Sequence, residues 1–156
     1  MIRYIKGDLV KLAYEKDYFD VIVHGCNCFN TMGAGIAKRI KQVFPEAYKA
    51  DLKTKSGDKK KLGCCSKAQC RTKDGGFIMV VNAYTQYKYG GDKVNVNYNA
   101  VRETLMRIGS NFKSCRIGLP KIGCGLAGGD WRVVEMIIKD EMSQNDVTIV
   151  EYDHRS

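Results

Sequence analysis

The residues best placed to do chemistry lie in the stretch 24–38, HGCNCFNTMGAGIAK. His24, Asn27 and Asn30 put three side chains that can hydrogen-bond a sugar or a phosphate into one loop, and Gly25, Gly33 and Gly35 allow close backbone approach to a ligand. The stretch leaves the apolar run Val21, Ile22, Val23, a strand candidate, and ends in a run with helical character, so it crosses from strand through loop to helix. The start of a helix offers unpaired N–H groups backed by the positive end of the dipole, a natural setting for phosphate. A second crossing of this kind follows the strand candidate 116–122: Gly123, Cys124, Gly125, Leu126, Ala127, Gly128, Gly129 and Asp130, ahead of a helix starting near Trp131. Two glycine-rich loops leaving the carboxyl ends of strands are how an α/β sheet makes one ligand crevice. Together they suit a diphosphate held by backbone N–H groups rather than by lysines or a metal.

The glycine pattern also excludes chemistries. Neither GAG nor GCGLAGG supplies the dinucleotide-binding spacing, and no Walker lysine follows either loop, which disfavours hydride enzymes and nucleoside triphosphatases. Seven cysteines, an odd number in a chain of 156 residues, point to reduced thiols rather than a disulfide framework. Zinc is disfavoured as well: Cys26 and Cys28 form a CxC, Cys64, Cys65 and Cys70 lie close together without knuckle spacing, and only His24 and His154 could add imidazole. Cys64 and Cys70 share parity with Leu62 and Ala68 on a strand candidate and read as small buried hydrophobes.

The length fits one domain, residues 1–156, and 44% hydrophobic residues support an ordinary core. No apolar run is long enough for a membrane helix and the first residues lack a secretory apolar segment, so a soluble, intracellular, cytoplasmic protein with no membrane partner is expected. A net charge of +9, from 26 basic and 17 acidic residues, suits an anionic partner or a solvated surface equally. Its densest part is Lys53, Lys55, Lys59, Lys60 and Lys61, with no aromatic among them. Single-strand sites interleave stacking aromatics with charge, so an exposed basic turn is the favoured reading and nucleic acid is not.

The elements that must position the loops alternate. Strands are expected at residues 2–6, 21–24, 62–71, 77–84, 116–122 and 147–152. Between the third and fourth, Lys73, Asp74, Gly75 and Gly76 signal a hairpin and hence one antiparallel pairing. Residues 8–13 suggest a turn with about one turn of helix. Ile36, Ile40, Val43, Phe44 and Ala47 fall at helical spacing, with Pro45 opening a second piece that runs to about residue 55. Residues 87–93 read as a loop. Asn97 caps a helix whose Tyr98, Val101, Leu105, Ile108 and Phe112 form a core face. Trp131, Val134 and Ile138 share a face of the last helix, which Asn145 is expected to end.

Three separated motifs, GDL near the N-terminus, MGAGIAK followed by phenylalanine-proline, and LPKIGCGLAGGDW, resemble a macro domain over essentially the whole chain. The resemblance implies a three-layer α/β/α fold with a mixed, mostly parallel central sheet, binding ADP-ribose at the strand ends. It places Asp8 on the adenine amine with Leu9 beside it, Asn27 at the distal ribose, and Gly33, Ala34, Gly35 and Ile36 along ribose and phosphates. Asn30 lies in the same loop. Gly123, Cys124, Gly125, Leu126 and Ala127 would form the diphosphate loop and Tyr152 would stack on adenine. Asp8 as a turn cap, Tyr152 as a surface aromatic and His24 as a structural histidine are the plainer alternatives.

The HGCNC segment is similar to the branch that removes phosphate from ADP-ribose 1″-phosphate. The rival branch cleaves ADP-ribose from glutamate or DNA bases with a lysine at the end of the strand corresponding to residues 80–84; its glutamate enzymes add an aspartate after GCGL. Here those places hold Ala83 or Tyr84 and Ala127, with Lys88 a few residues late. The resemblance therefore implies a phosphatase needing no cofactor, in which water attacks the terminal phosphate, His24 polarises that water or protonates the leaving oxygen, and Asn27 orients the ribose. Asp130 is the alternative base, although a helix N-cap is its plainer role. Removal of ADP-ribose from protein or nucleic acid, or ADP-ribose binding without turnover, are the alternatives.

Overall fold

The structure, a computed structural model, describes residues 2–91 and 93–153; His154, the second imidazole considered for zinc, lies outside them. Strands β1 (Ile2–Gly7), β2 (Val21–Cys26), β3 (Cys65–Arg71), β4 (Phe77–Tyr84), β5 (Arg116–Leu119) and β6 (Asp146–Tyr152) alternate with helices α1 (Leu9–Glu15), α2 (Gly35–Val43), α3 (Pro45–Leu52), α4 (Tyr98–Asn111) and α5 (Trp131–Glu141). They form one sheet in the order β1-β6-β5-β2-β4-β3. All neighbours are parallel except β3 and β4, the hairpin expected around Gly75 and Gly76.

Alternation along the central strands builds the three layers. On β2, Val21 and Val23 face one side with Val101, Leu105, Val134 and Ile138 of α4 and α5. Ile22 faces the other side with Leu9, Ile40, Phe44 and Ala47 of α1, α2 and α3. A strand buried on both faces favours a continuous apolar run, as Val21, Ile22 and Val23 form ahead of the buried His24. This is the α/β/α sandwich that the motifs implied.

Several boundaries differ from the sequence reading. Helix α1 starts at Leu9, where Asp8 caps it by accepting from the Lys11 N–H at 3.1 Å, and runs on to Glu15. Strand β5 stops at Leu119, since Pro120 has no N–H for the ladder. Strand β3 begins at Cys65, which leaves Leu62 and Cys64 in a turn, whereas Cys70 is fully buried. Helix α5 ends at Glu141 with Met142 at its C-cap. Asn145 instead lies buried in the following turn and donates to the Gly109 and Phe112 carbonyls. The basic segment is a single 3-10 turn, Lys59–Lys61, and Lys61 points inward at 8% exposure.

Candidate functional site

Because β1, β2, β4, β5 and β6 are parallel, their following loops gather on one edge of the sheet. The loop 27–34 enters α2 at Ala34, where no side chain caps the helix. The N–H groups of Gly35, Ile36 and Ala37 are therefore first-turn donors without an intrahelical partner, and Gly33, Ala34 and Gly35 are exposed. Gly35 sits at φ +58°, and a Cβ there would come 3.3 Å from Leu126 Cδ1. The two glycine-rich loops thus face each other across that contact.

The second loop is folded on itself by bonds from Cys124 N–H to Lys121 O, Gly128 N–H to Gly125 O and Gly129 N–H to Gly123 O. Among the described residues, the N–H groups of Gly125, Leu126 and Ala127 take no partner. Ala127 is buried while its carbonyl accepts from Asn95 and Val96, which ties this loop to the one after β4. Gly123, at φ +76°, would drive a Cβ to 2.7 Å from Val96 Cγ2. Six N–H groups on two facing loops that take no partner among the described residues are an arrangement suited to receiving an anion.

Asn27 and Thr31 shape the first loop. Asn27 Oδ1 accepts from Phe29 N–H at 2.8 Å, and its Nδ2 donates to Thr31 O and Oγ1 at 3.2 and 2.8 Å. Both Nδ2 hydrogens are used, while Oδ1 keeps one lone pair for a donor. Asn30 is turned inward, contrary to its expected place at the ligand. At φ +59° it donates to Thr54 O and accepts from the Lys61 ammonium at 2.6 Å, and Lys61 also donates to Cys28 O. Asn30 and Lys61 therefore brace the loop from beneath.

His24 does not line the crevice. It is fully buried on the α3 side, with Nε2 2.7 Å from Asn82 Oδ1. Asn82 Nδ2 donates to Ala47 O and Ser66 Oγ, which fixes Oδ1 toward the imidazole and makes Nε2 the donor. The Cys26 Sγ lies 3.5 Å from Nε2 and 3.7 Å from Nδ1, and with Nε2 donating to Asn82 only Nδ1 can accept the thiol proton. Ser66 Oγ lies 2.8 Å from the Tyr84 hydroxyl, which donates to Asp51 at 2.7 Å. Burial lowers the His24 pKa to about 4, opposed by the Asn82 bond, and burial pushes the Cys26 thiol up. A neutral, fully buried imidazole presents no surface to the crevice, so His24 stands where it can position the strand end and not where it touches a ligand.

The remaining expectations divide. Asp130 is the N-cap of α5, accepting from Arg132 N–H at 2.9 Å, and the Arg132 side chain holds its carboxyl below the usual range. That is the capping role, not the base. Asp8 is both the α1 cap and a partner of Arg39 at 2.9 Å, and each carboxylate oxygen keeps a free acceptor site. Leu9 turns its side chain into the core, so beside a ligand it can present backbone only. Ile36 packs partly against the same core. Tyr152, 72% exposed, closes β6 directly opposite Gly7, which brings it to the Asp8 end of the crevice. Cys124 is half-buried, and burial raises its thiol.

Thr31, Lys61, Asn82 and Thr85 are site-supporting residues that sequence reasoning missed. Thr85 is fully buried, and its Oγ1 has no partner among the described residues. It would lie 2.7 Å from a Cβ on Gly25. Thr31 acts locally, inside the first loop itself, whereas Lys61, Asn82 and Thr85 reach the site only through tertiary packing.

The chain is 34% identical over 167 residues to an uncharacterized 17.5 kDa protein of Enterobacteria phage T4, covering 98% of this chain and 97% of that one. It is 27% identical over 165 residues to the ADP-ribose 1″-phosphate phosphatase of Debaryomyces hansenii, covering 88% and 92%. It is also 27% identical over 153 residues to the DNA ADP-ribosyl glycohydrolase of Mycobacterium tuberculosis, spanning 97% of this chain but 42% of that protein. Among solved structures, a macrodomain protein from Streptomyces coelicolor superposes with a TM-score of 0.71 at 26% identity, covering 99% of each chain. The sequence model of the Macro domain matches residues 23–138. Fold, facing glycine loops and family match together make this chain a member of the macro domain family.

Proposed function

We propose that this protein binds ADP-ribose between its two glycine-rich loops and hydrolyses ADP-ribose 1″-phosphate to ADP-ribose and inorganic phosphate. The observation that carries the reading is the pair of facing loops with unpartnered N–H groups at residues 35–37 and 125–127. Such a cradle stabilises charge on phosphoryl oxygens without rearranging when the reaction occurs. The free lone pair of Asn27 Oδ1 accepts from a distal-ribose hydroxyl, and Asp8 and Tyr152 take the adenine end.

With His24 buried, the proton for the leaving group comes from the substrate. A phosphate monoester has a second pKa of about 6 and is partly monoanionic near neutrality. Water oxygen bonds to phosphorus, the bond from phosphorus to O1″ breaks, and the monoester's own proton passes to O1″. Turnover should therefore fall as pH rises above about 6, with the same profile in His24→Gln.

The deciding experiment is phosphate release from ADP-ribose 1″-phosphate, run in chelator, beside ADP-ribose binding by calorimetry. Release at comparable rates by wild type and His24→Gln supports the proposal. Binding of ADP-ribose without release overturns it. In that case removal of ADP-ribose from nucleic acid becomes the better reading, favoured by the +9 charge and by the DNA ADP-ribosyl glycohydrolase relative, and it is checked with an ADP-ribosylated oligonucleotide.

A further inference from the structure

The lysine-rich segment lacks aromatics in sequence, but the fold brings them to it. Three backbone or hydroxyl bonds join three separate segments: Gly57 N–H to Cys28 O at 2.6 Å, Cys28 N–H to Tyr87 O at 3.0 Å, and the Tyr87 hydroxyl to Gly57 O at 2.7 Å. Phe29 packs edge-on to Tyr87 with ring centroids 4.9 Å apart, and Tyr89 lies 6.5 Å from Phe29. Lys59 Nζ sits 5.4 Å from the Tyr87 ring centroid. The loop carrying Tyr87 and Tyr89 is held at its base by the Gln86–Val96 bridge and farther out by Asn95 Nδ2 donating to Gly90 O. A lysine turn and an aromatic cluster thus share one face beside the crevice.

Two properties separate this face from an ordinary solvated surface. Tyr89 is 57% exposed, although a large aromatic could have buried far more area. Lys53, Lys55, Lys59, Lys60 and Lys88 are exposed and, among the described residues, take part in no ion pair. Asp58 is the one carboxylate within residues 53–61, and its side chain is taken up by the Lys60 N–H. Lys61 is bound inward and rigidifies the turn from below.

We propose that this face binds single-stranded nucleic acid, with Lys53, Lys55, Lys59, Lys60 and Lys88 along the phosphates and Tyr89 stacked on a base. Unpaired lysines beside an exposed aromatic are the arrangement that single-strand grooves use. A duplex hides its base faces, and an acidic peptide offers charge without flat rings, so neither uses Tyr89. The proposal is independent of what the crevice hydrolyses.

The test is fluorescence anisotropy with labelled oligothymidylate of about 20 nucleotides, longer than the ~4–16 a single-strand groove covers. The matching duplex and polyglutamate serve as competitors. Oligothymidylate is expected to bind in preference to both, weakening with salt at a slope of about −0.7 per phosphate contacted. Tyr89→Ala should lower affinity about fivefold or more, Tyr89→Phe should restore it, and Lys55→Glu with Lys60→Glu should flatten the salt slope. All variants should still bind ADP-ribose, which shows that they fold and that the crevice is separate. Equal binding of the duplex or polyglutamate, indifference to Tyr89→Ala, or no binding at low salt overturns the proposal. Loss of phosphatase activity in the assay above would leave it standing.

Discussion

His24 offers the sharpest test of the site as described. Its imidazole is buried and neutral, donating from Nε2 to Asn82 and accepting at Nδ1. The folded-state pKa of about 4 lies below the ordinary 6.5 because burial penalises the charged form. A depressed pKa means that the unfolded chain binds the proton first as pH falls. The stability contribution is therefore complete above about pH 6.5 and is lost progressively as pH drops through about 4. Between about pH 7.5 and pH 4.5 this one group accounts for roughly 2–3 kcal/mol.

Other groups titrate in that window. Burial raises the Asp51 pKa, which acts in the opposite sense by favouring the fold as pH falls, and Arg116 lowers that of Asp20. A difference between two proteins removes both. Gln at position 24 can still donate to Asn82 but cannot ionise. Urea unfolding of wild type and His24→Gln at about pH 7.5 and 4.5 should show a gap that changes by roughly 2–3 kcal/mol, with wild type the more acid-sensitive. An unchanged gap would refute the buried, neutral imidazole. A fall in turnover of several orders of magnitude with stability and ADP-ribose affinity intact would return His24 to chemistry.

Other substitutions probe the loops. Gly35→Val combines φ +58° with a Cβ 3.3 Å from Leu126 Cδ1; it should cost about 1–2 kcal/mol and weaken ADP-ribose binding by calorimetry. Lys61→Met keeps the apolar volume but leaves Asn30 Oδ1 and Cys28 O without their ammonium. Urea unfolding should record a loss of about 2 kcal/mol, with weaker ADP-ribose binding as the loop loosens. Asp130→Ala removes the α5 cap, costs about 1 kcal/mol in thermal unfolding and leaves phosphate release unchanged.

The parts of this structure that follow local rules could be read from the chain. The apolar run at residues 77–84 and the Gly75–Gly76 turn gave the antiparallel hairpin. Asn97 and Asp130 were recognisable as caps, and both glycine-rich crossings leave strand ends as expected. What depends on burial could not be read. His24 belongs to the α3 side because strand parity sends it there with Ile22, and its partner Asn82 is 58 residues away. Asn30 turns inward because Lys61, 31 residues on, is buried beneath it. The same blindness hid Tyr87 and Tyr89 from the lysine turn, since a window of sequence shows neighbours in the chain only.

In the proposed complex, backbone N–H groups of two facing loops hold the phosphates. The direct measurement is a titration of nitrogen-15-labelled protein with ADP-ribose, followed by amide chemical shifts. The largest shifts are expected at Gly35, Ile36, Ala37, Gly125, Leu126 and Ala127, with the His24 imidazole resonances nearly unmoved. Large shifts at His24 with little change at those six amides would contradict that arrangement.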